Sequence, residues 1–111
     1  MGDEGRSVAR ALEPLERKDR VLIVEDEDNA RRGYEQLLQR WGYDVLGVGT
    51  AEDALAKFGS YQPDTLIADV ELPGMNGLDL IKQLEPELVD VPAVIITGKG
   101  SEERADRKSV V

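Results

Sequence analysis

Acidic residues directly follow two short apolar runs of this chain, at positions where carboxylates could bind a ligand or take part in a reaction. Residues 21–24 (VLIV) are followed by Glu25 and Asp26, and residues 65–68 (TLIA) are followed by Asp69. Runs of this length and composition predict strands of a parallel sheet that is buried on both faces. Ligands of such sheets bind at the carboxyl ends of the strands, so these acids are candidates for a functional site.

A hydroxyl group occupies a similar position after a third apolar run. Residues 93–96 (AVII) predict a further buried strand, and Thr97 directly follows it. The carboxyl ends of parallel strands lie along one edge of the sheet, so we expect the carboxylates and the hydroxyl to converge. Carboxylates that lie close together repel one another unless a proton or a cation is shared. A hard divalent cation such as Mg²⁺, which binds carboxylate and carbonyl oxygens, resolves this conflict.

Three further polar residues follow the first run, and a helix start explains them more simply than chemistry does. Asp28 and Asn29 are of the types that cap helices, and Glu27 is expected to be a solvated turn residue. We therefore leave these three out of the predicted site.

The segments between the strands predict helices that position the acids. An apolar stripe with spacings of three and four marks a helix over about 28–41, with Gly42 as its stop, and residues 43–48 predict the second strand. The stripe consists of Ala30, Tyr34, Leu37, Leu38 and Trp41. Strands that alternate strictly with helices predict right-handed βαβ units and a parallel sheet, which is an α/β fold.

Two more helices have clear boundaries in the sequence. Thr50 begins a capping pattern for one helix, which Gly59 is expected to end. The other covers residues 77–85 and is closed by Pro86.

Composition limits the possible functions. The 111 residues suit one domain, and the absence of His and Cys excludes disulfides, thiolate catalysis, zinc sites of the usual kind and imidazole acid/base chemistry. The net charge of −9 would repel phosphate backbones, so we expect no direct nucleic-acid binding by this segment. No apolar run is long enough to span a membrane and no signal peptide is evident, so we expect a cytoplasmic protein.

The chain divides into two parts by composition. Residues 1–19 mix charges with Gly, Ser and Pro, and they predict a flexible charged N-terminal extension. Residues 20–111 contain the strands and helices and predict a single folded domain.

Three sequence blocks in order resemble the receiver domain of two-component response regulators. They are residues 21–27 (VLIVEDE), 67–77 (IADVELPGMNG) and 94–98 (VIITG), and the resemblance extends from residue 20 to about residue 105. It implies a flavodoxin-like, doubly wound parallel sheet of strand order 2-1-3-4-5.

The resemblance also implies a role for each matching residue. Asp69 would be the phosphoacceptor, with a sensor histidine kinase or a phosphotransfer protein as the partner that donates the phosphoryl group. Asp26 would bind Mg²⁺ directly, Glu25 would help to hold it through water, and Asp69 and the backbone carbonyl of Glu71 would complete the metal site. Thr97 would contact a phosphoryl oxygen. Such a domain signals rather than acting as an enzyme, and it catalyses at most its own phosphotransfer and dephosphorylation.

The chain departs from the family pattern after Thr97. Residues 98–111 match neither the fifth strand with its Lys-Pro end nor the last helix, so we expect a C-terminally truncated receiver with the sheet order 2-1-3-4. The loss of that lysine would slow phosphorylation and weaken its coupling to conformation. The missing strand would leave residues 93–96 as an exposed apolar edge, which predicts a homo-oligomer formed through this edge.

Two alternatives stay open at this point. The domain could be an interaction module that retains the acidic pocket but works without phosphorylation. A magnesium-dependent phosphohydrolase of the haloacid dehalogenase type also uses a strand-end aspartate, but it needs a second aspartate where this chain has Glu71.

Overall fold

The computed structural model of the protein describes residues 18–97 and the backbone of residues 109–110, and all structural statements below concern these residues. Nearly all of the predicted extension 1–19 and most of residues 98–111 lie outside the described residues. In chain order the elements are β1 (Arg20–Val24), α1 (Asp28–Arg40), β2 (Asp44–Val48), α2 (Ala51–Tyr61), β3 (Thr65–Asp69), α3 (Gly77–Leu84), a 3₁₀ turn (Glu85–Glu87), β4 (Ala93–Thr97) and β5 (Ser109–Val110).

The strands form one sheet in the order β2-β1-β3-β4-β5. The first four are parallel and confirm the predicted order 2-1-3-4, with register pairs such as Val24 with Ala68. The short β5 runs antiparallel to β4, so that Val110 pairs with Ile96 and Ser109 with Thr97. The sequence analysis did not predict this strand, which pairs only the last two residues of the β4 edge.

One face of the sheet carries the main hydrophobic core. Alternate strand residues on this face pack against the buried sides of α2 and α3, as expected for doubly wound sheets. Leu22 and Leu66 at its centre are completely buried. The buried residues of this core are Leu22, Val24, Val48, Ala51, Ala54, Phe58, Leu66, Ala68, Leu72, Leu80, Leu84 and Ile95.

The opposite face is covered by α1, which packs on β1 and β2. No residue of α1 is buried, and the stripe predicted to face the core leaves Leu37 41% and Trp41 64% exposed. Within the described residues α1 covers only the β1–β2 half of this face, so part of its apolar stripe stays exposed. Ile67 and Val94, on the other half, are only half-buried.

The helix ends confirm some predicted caps and correct others. Gly42 follows α1 with a positive φ of 98°, as expected for a helix stop, and Thr50 Oγ1 accepts the Asp53 N–H at 3.0 Å. The cap of α1, however, is Glu27, whose Oε1 accepts the Ala30 N–H at 3.1 Å, so the prediction of Asp28 or Asn29 was wrong.

The helix α2 continues past Gly59, where it was predicted to end, and stops at Tyr61 with Gln62 in the left-handed conformation. Its last residue is held by contacts from two strands. Arg20 Nη1 donates to the Tyr61 carbonyl at 3.0 Å, and the Tyr61 hydroxyl donates to the Asp44 carbonyl at 3.0 Å. These tertiary contacts stabilise a final turn that the glycine would otherwise weaken.

The environment of Tyr61 makes stability depend on alkaline pH. Burial, and to a lesser extent the negative charge of Asp44, raises the pKa of Tyr61 from 10.0 to about 12. Between these values the unfolded chain has lost the phenol proton while the folded protein keeps it. Its contribution to stability is therefore complete below the unfolded pKa and is lost as the pH rises through about 12.

We expect the free energy of unfolding of the wild type to fall more steeply between pH 10 and 12 than that of Tyr61→Phe. At neutral pH the variant should be less stable by up to about 1 kcal/mol, because one hydrogen bond is lost. Urea unfolding across this pH range measures both effects. Tyr43→Phe is the control, and equal slopes for wild type and Tyr61→Phe would contradict the assignment.

The start of α3 packs directly against the end of β3. Asn76 Oδ1 caps the helix by accepting the Asp79 N–H at 2.8 Å, and the Gly77 N–H donates to the Val70 carbonyl at 3.1 Å. A Cβ at Gly77 would lie 3.2 Å from Val70 Cα and closer still to the Asp69 carbonyl oxygen. The helix can approach the strand end this closely only because residue 77 has no side chain.

We expect Gly77→Ala to destabilise the fold by roughly 1–3 kcal/mol, since the added methyl group must displace backbone at the end of β3. Gly33→Ala is the matched control, because a Cβ at Gly33 in α1 meets nothing within 4 Å. That control should be more stable by about 0.5–1 kcal/mol, as for any exposed helical glycine. Urea unfolding measures both effects. If the unfolding midpoints of Gly77→Ala and Gly33→Ala shift in the same direction by similar amounts, the close-packing argument is wrong.

Candidate functional site

Two buried acidic residues, Glu25 and Asp69, lie at the carboxyl edge of the sheet, where adjacent strands end. Val24 and Ala68 are register partners, so Glu25 and Asp69 occupy matching positions one residue further along adjacent strands. Both residues are only 1% exposed, and no other charged residue of the described chain is buried. The structure therefore brings together two of the acids that the sequence predicted to converge.

Asp69 is held by its neighbours in the loop that follows β3. The Glu71 N–H donates to Asp69 Oδ1 at 2.9 Å, which fixes the rotation of the carboxylate and stabilises its charge. The Val70 N–H donates to the Ile96 carbonyl at 3.1 Å, so the chain beyond Asp69 remains tied to β4. Together with the close contact of Gly77, these bonds give the carboxylate a defined position.

Glu25 is also anchored on several sides. Its backbone N–H donates to the Val48 carbonyl at 3.0 Å, and its Oε2 accepts the Glu27 N–H at 3.1 Å. Its backbone carbonyl accepts a hydrogen bond from Arg31 Nη1 at 2.9 Å. The sequence analysis missed Arg31, although the small residues Gly47 and Gly49 in and after the second strand were a possible sign that a neighbouring side chain passes there.

The remaining predicted site residues lie at the rim. Asp26, directly after Glu25, is exposed, and so is Glu71, whose backbone N–H reaches Asp69. Thr97 is the last residue of β4 and is half-buried; it lies one position beyond Ile96, the register partner of Asp69. The fold thus places every predicted site residue at one edge, with Glu25 and Asp69 at the buried centre.

The donor set at this edge suits a hard cation. Within residues 18–97, no group of three or more acidic side chains is arranged to hold a metal ion. Magnesium, however, is usually held by one or two carboxylates while several of its positions are filled by water. Two buried acids at adjacent strand ends, with the exposed Asp26 beside them in sequence, fit that requirement.

Comparison with known proteins identifies the fold and the family. Residues 21–109 match a family model described as the response regulator receiver domain. The chain is 34% identical over 83 residues to the alkaline phosphatase synthesis transcriptional regulatory protein PhoP of Bacillus subtilis, covering 75% of this chain and 35% of that protein. It is 38% identical over 82 residues to the two-component response regulator PhoP of Pseudomonas aeruginosa, covering 74% and 36%.

Solved structures agree. The response regulator TrrA from Thermotoga maritima, in complex with Mg²⁺-BeF, aligns with a TM-score of 0.69 at 34% identity, covering 79% of this chain and 76% of that one. The chemotaxis response regulator CheY4 of Vibrio cholerae aligns with a TM-score of 0.70 at 28% identity, covering 80% and 76%.

The chain spans only about a third of the length of the curated relatives it matches. No helix in the described part of the chain is long and apolar enough to cross a membrane. Because the family model covers most of the chain and the sheet order agrees with it, this protein belongs to the family of response regulator receiver domains of two-component systems.

Proposed function

We propose that the domain is a phosphoacceptor that takes up a phosphoryl group on Asp69 with the help of Mg²⁺. The observation that carries this proposal is the burial of Asp69 and Glu25 one position beyond the register pair Ala68–Val24, with Oδ1 of Asp69 held by the Glu71 N–H at 2.9 Å. A carboxylate fixed in this way is oriented for nucleophilic attack.

The proposed reaction forms an acyl phosphate on the domain. An oxygen of the Asp69 carboxylate bonds to phosphorus while the bond between phosphorus and the donor breaks, and the donor keeps the electron pair of that bond. When bound, Mg²⁺ would neutralise the charge of the phosphoryl oxygens. The groups that would hold it are Asp69, Asp26, Glu25 and the backbone carbonyl of Glu71, and Thr97 would contact a phosphoryl oxygen.

The proposed donor partner is a phosphohistidine of a sensor kinase or of a phosphotransfer protein. Membership of the two-component receiver family supports this assignment, and one structural relative is a complex with Mg²⁺-BeF. The comparisons give no support to the alternative of a phosphorylation-independent interaction module. Several relatives are named as transcriptional regulators, but this chain matches only about a third of their length, so an effect on transcription would depend on other segments.

Incubation with acetyl phosphate and Mg²⁺, followed by intact-mass measurement, tests the proposal. We expect the wild type to gain the mass of one phosphoryl group and Asp69→Asn to gain none, because an amide cannot act as the nucleophile. Asp90→Asn is the matched control, since Asp90 is exposed and precedes β4, at the opposite edge of the sheet. Chelation of Mg²⁺ should suppress the gain.

A wild type that gains no mass would contradict the phosphoacceptor proposal. An equal gain in Asp69→Asn would place the phosphoryl group on another residue.

We also propose that the chain self-associates through the β4 edge. Within the described residues β5 pairs only with Ile96 and Thr97, which leaves residues 93–95 of this edge to other partners. The neighbouring side chains Ile67 and Val94 remain half-buried on the α1 face. Apolar strand edges of this kind favour pairing with a second chain.

Sedimentation velocity over a range of protein concentrations tests the association. We expect the average sedimentation coefficient to rise with concentration. A single monomeric species up to high micromolar concentration would contradict the proposal.

A further inference from the structure

Arg31, in the first turns of α1, links the helix to the strand end that carries the acids. Its Nη1 donates to the Glu25 carbonyl at 2.9 Å, and its Nη2 forms an ion pair with Asp28 Oδ1 at 2.7 Å. The Arg31 side chain is 20% exposed, whereas that of Asp28 is 69% exposed. The guanidinium is thus largely enclosed beside the candidate metal site, and it uses two of its donors at once.

The second strand provides the space for this side chain. A Cβ at Gly47 would meet the Glu35 carboxylate first and would also lie 3.1 Å from Arg31 Cγ, so this glycine makes room for both side chains. A Cβ at Gly49 would lie at an ordinary contact distance of 3.5 Å from Arg31 Nη1. Between these glycines, the Val48 carbonyl accepts the Glu25 N–H at 3.0 Å. Glu25 is therefore held by β2 through its N–H and by α1 through its carbonyl.

The carbonyl that Arg31 binds belongs to the peptide unit between Glu25 and Asp26. Fixing the plane of this peptide restricts the directions in which both side chains leave the backbone, because only the adjoining φ and ψ angles remain free. We propose that Arg31 is a positioning residue for the magnesium site, where it orients the Glu25–Asp26 peptide. This inference rests on the function proposed above.

Two effects of Arg31 on Mg²⁺ have opposite signs. Its positive charge repels a nearby cation, while its hydrogen bond organises the acids that bind the cation. The ion pair with Asp28 at 2.7 Å offsets much of this charge. Positioning should therefore dominate, and removal of Arg31 should weaken Mg²⁺ binding rather than strengthen it.

Isothermal titration of the full 111-residue chain with MgCl₂ measures this sign directly. We expect Arg31→Ala to raise the Mg²⁺ dissociation constant by roughly tenfold, the effect typical of groups that orient metal ligands. Arg31→Lys should fall between the wild type and Arg31→Ala, because an ammonium group cannot reproduce the planar fork. If Arg31→Ala does not fold, Arg31→Lys serves as the test variant, because it removes the planar fork but keeps the positive charge.

Arg32→Ala is the matched control, since it removes the same charge from the next residue of the same helix, where the side chain is exposed. We expect this variant to bind Mg²⁺ as the wild type does or slightly more tightly. An equal weakening in Arg32→Ala and Arg31→Ala would overturn the inference, because the effect would then follow charge rather than the hydrogen bond. Unchanged or tighter binding by Arg31→Ala, or by Arg31→Lys if the former is unfolded, would also overturn it.

Phosphorylation of the same samples with acetyl phosphate separates the two proposals. If the wild type gains a phosphoryl group but the Arg31 variants bind Mg²⁺ as the wild type does, only the positioning role is wrong. If the wild type binds Mg²⁺ but gains no phosphoryl group, the proposed function is wrong, while weaker Mg²⁺ binding by the Arg31 variants still supports the positioning role. A wild type that does not bind Mg²⁺ overturns the positioning role.

Discussion

The burial of two neighbouring carboxylates at one edge of a parallel sheet is the constraint on which this structure depends. Glu25 and Asp69 are each 1% exposed; Glu25 directly follows β1 and Asp69 ends β3, each one position beyond the register pair Val24–Ala68. Charges taken out of water must be compensated by hydrogen bonds or by an opposite charge. The loops after both strands supply part of this compensation through the backbone N–H groups of Glu27 and Glu71.

The surrounding elements are arranged to keep these acids in place. β1 is almost completely buried between β2 and β3, so Glu25 extends from the most rigid part of the sheet. On the Asp69 side, α3 begins in direct contact with the strand end, which Gly77 permits. On the Glu25 side, Arg31 reaches across β2 from α1. Strands and two helix starts thus support candidate site residues that lie at strand ends or in the loops directly after them.

The two faces of the sheet are unequal. The face under α2 and α3 has a continuous buried core, whereas α1 covers only half of the other face in the described residues. This arrangement explains why Leu37 and Trp41 remain 41% and 64% exposed. The apolar stripe of a helix is buried only where another layer packs against it. The edge with the candidate site is shared by both faces, so its geometry does not require the two faces to be equally covered.

The sequence by itself determined the α/β class, four parallel strands and the acids at their ends, because buried strands, turn residues and caps are encoded locally. The order of the strands was implied only by the resemblance to receiver domains. It did not reveal Glu27 as the cap of α1, the extra turn of α2 that ends at Tyr61, or the reach of Arg31 to Glu25. Those features arise from contacts between residues far apart in the chain or from competition among adjacent polar residues. Only the packing of helices on the sheet decides which of several chemically suitable side chains makes each contact, and for that reason tertiary structure was needed to resolve them.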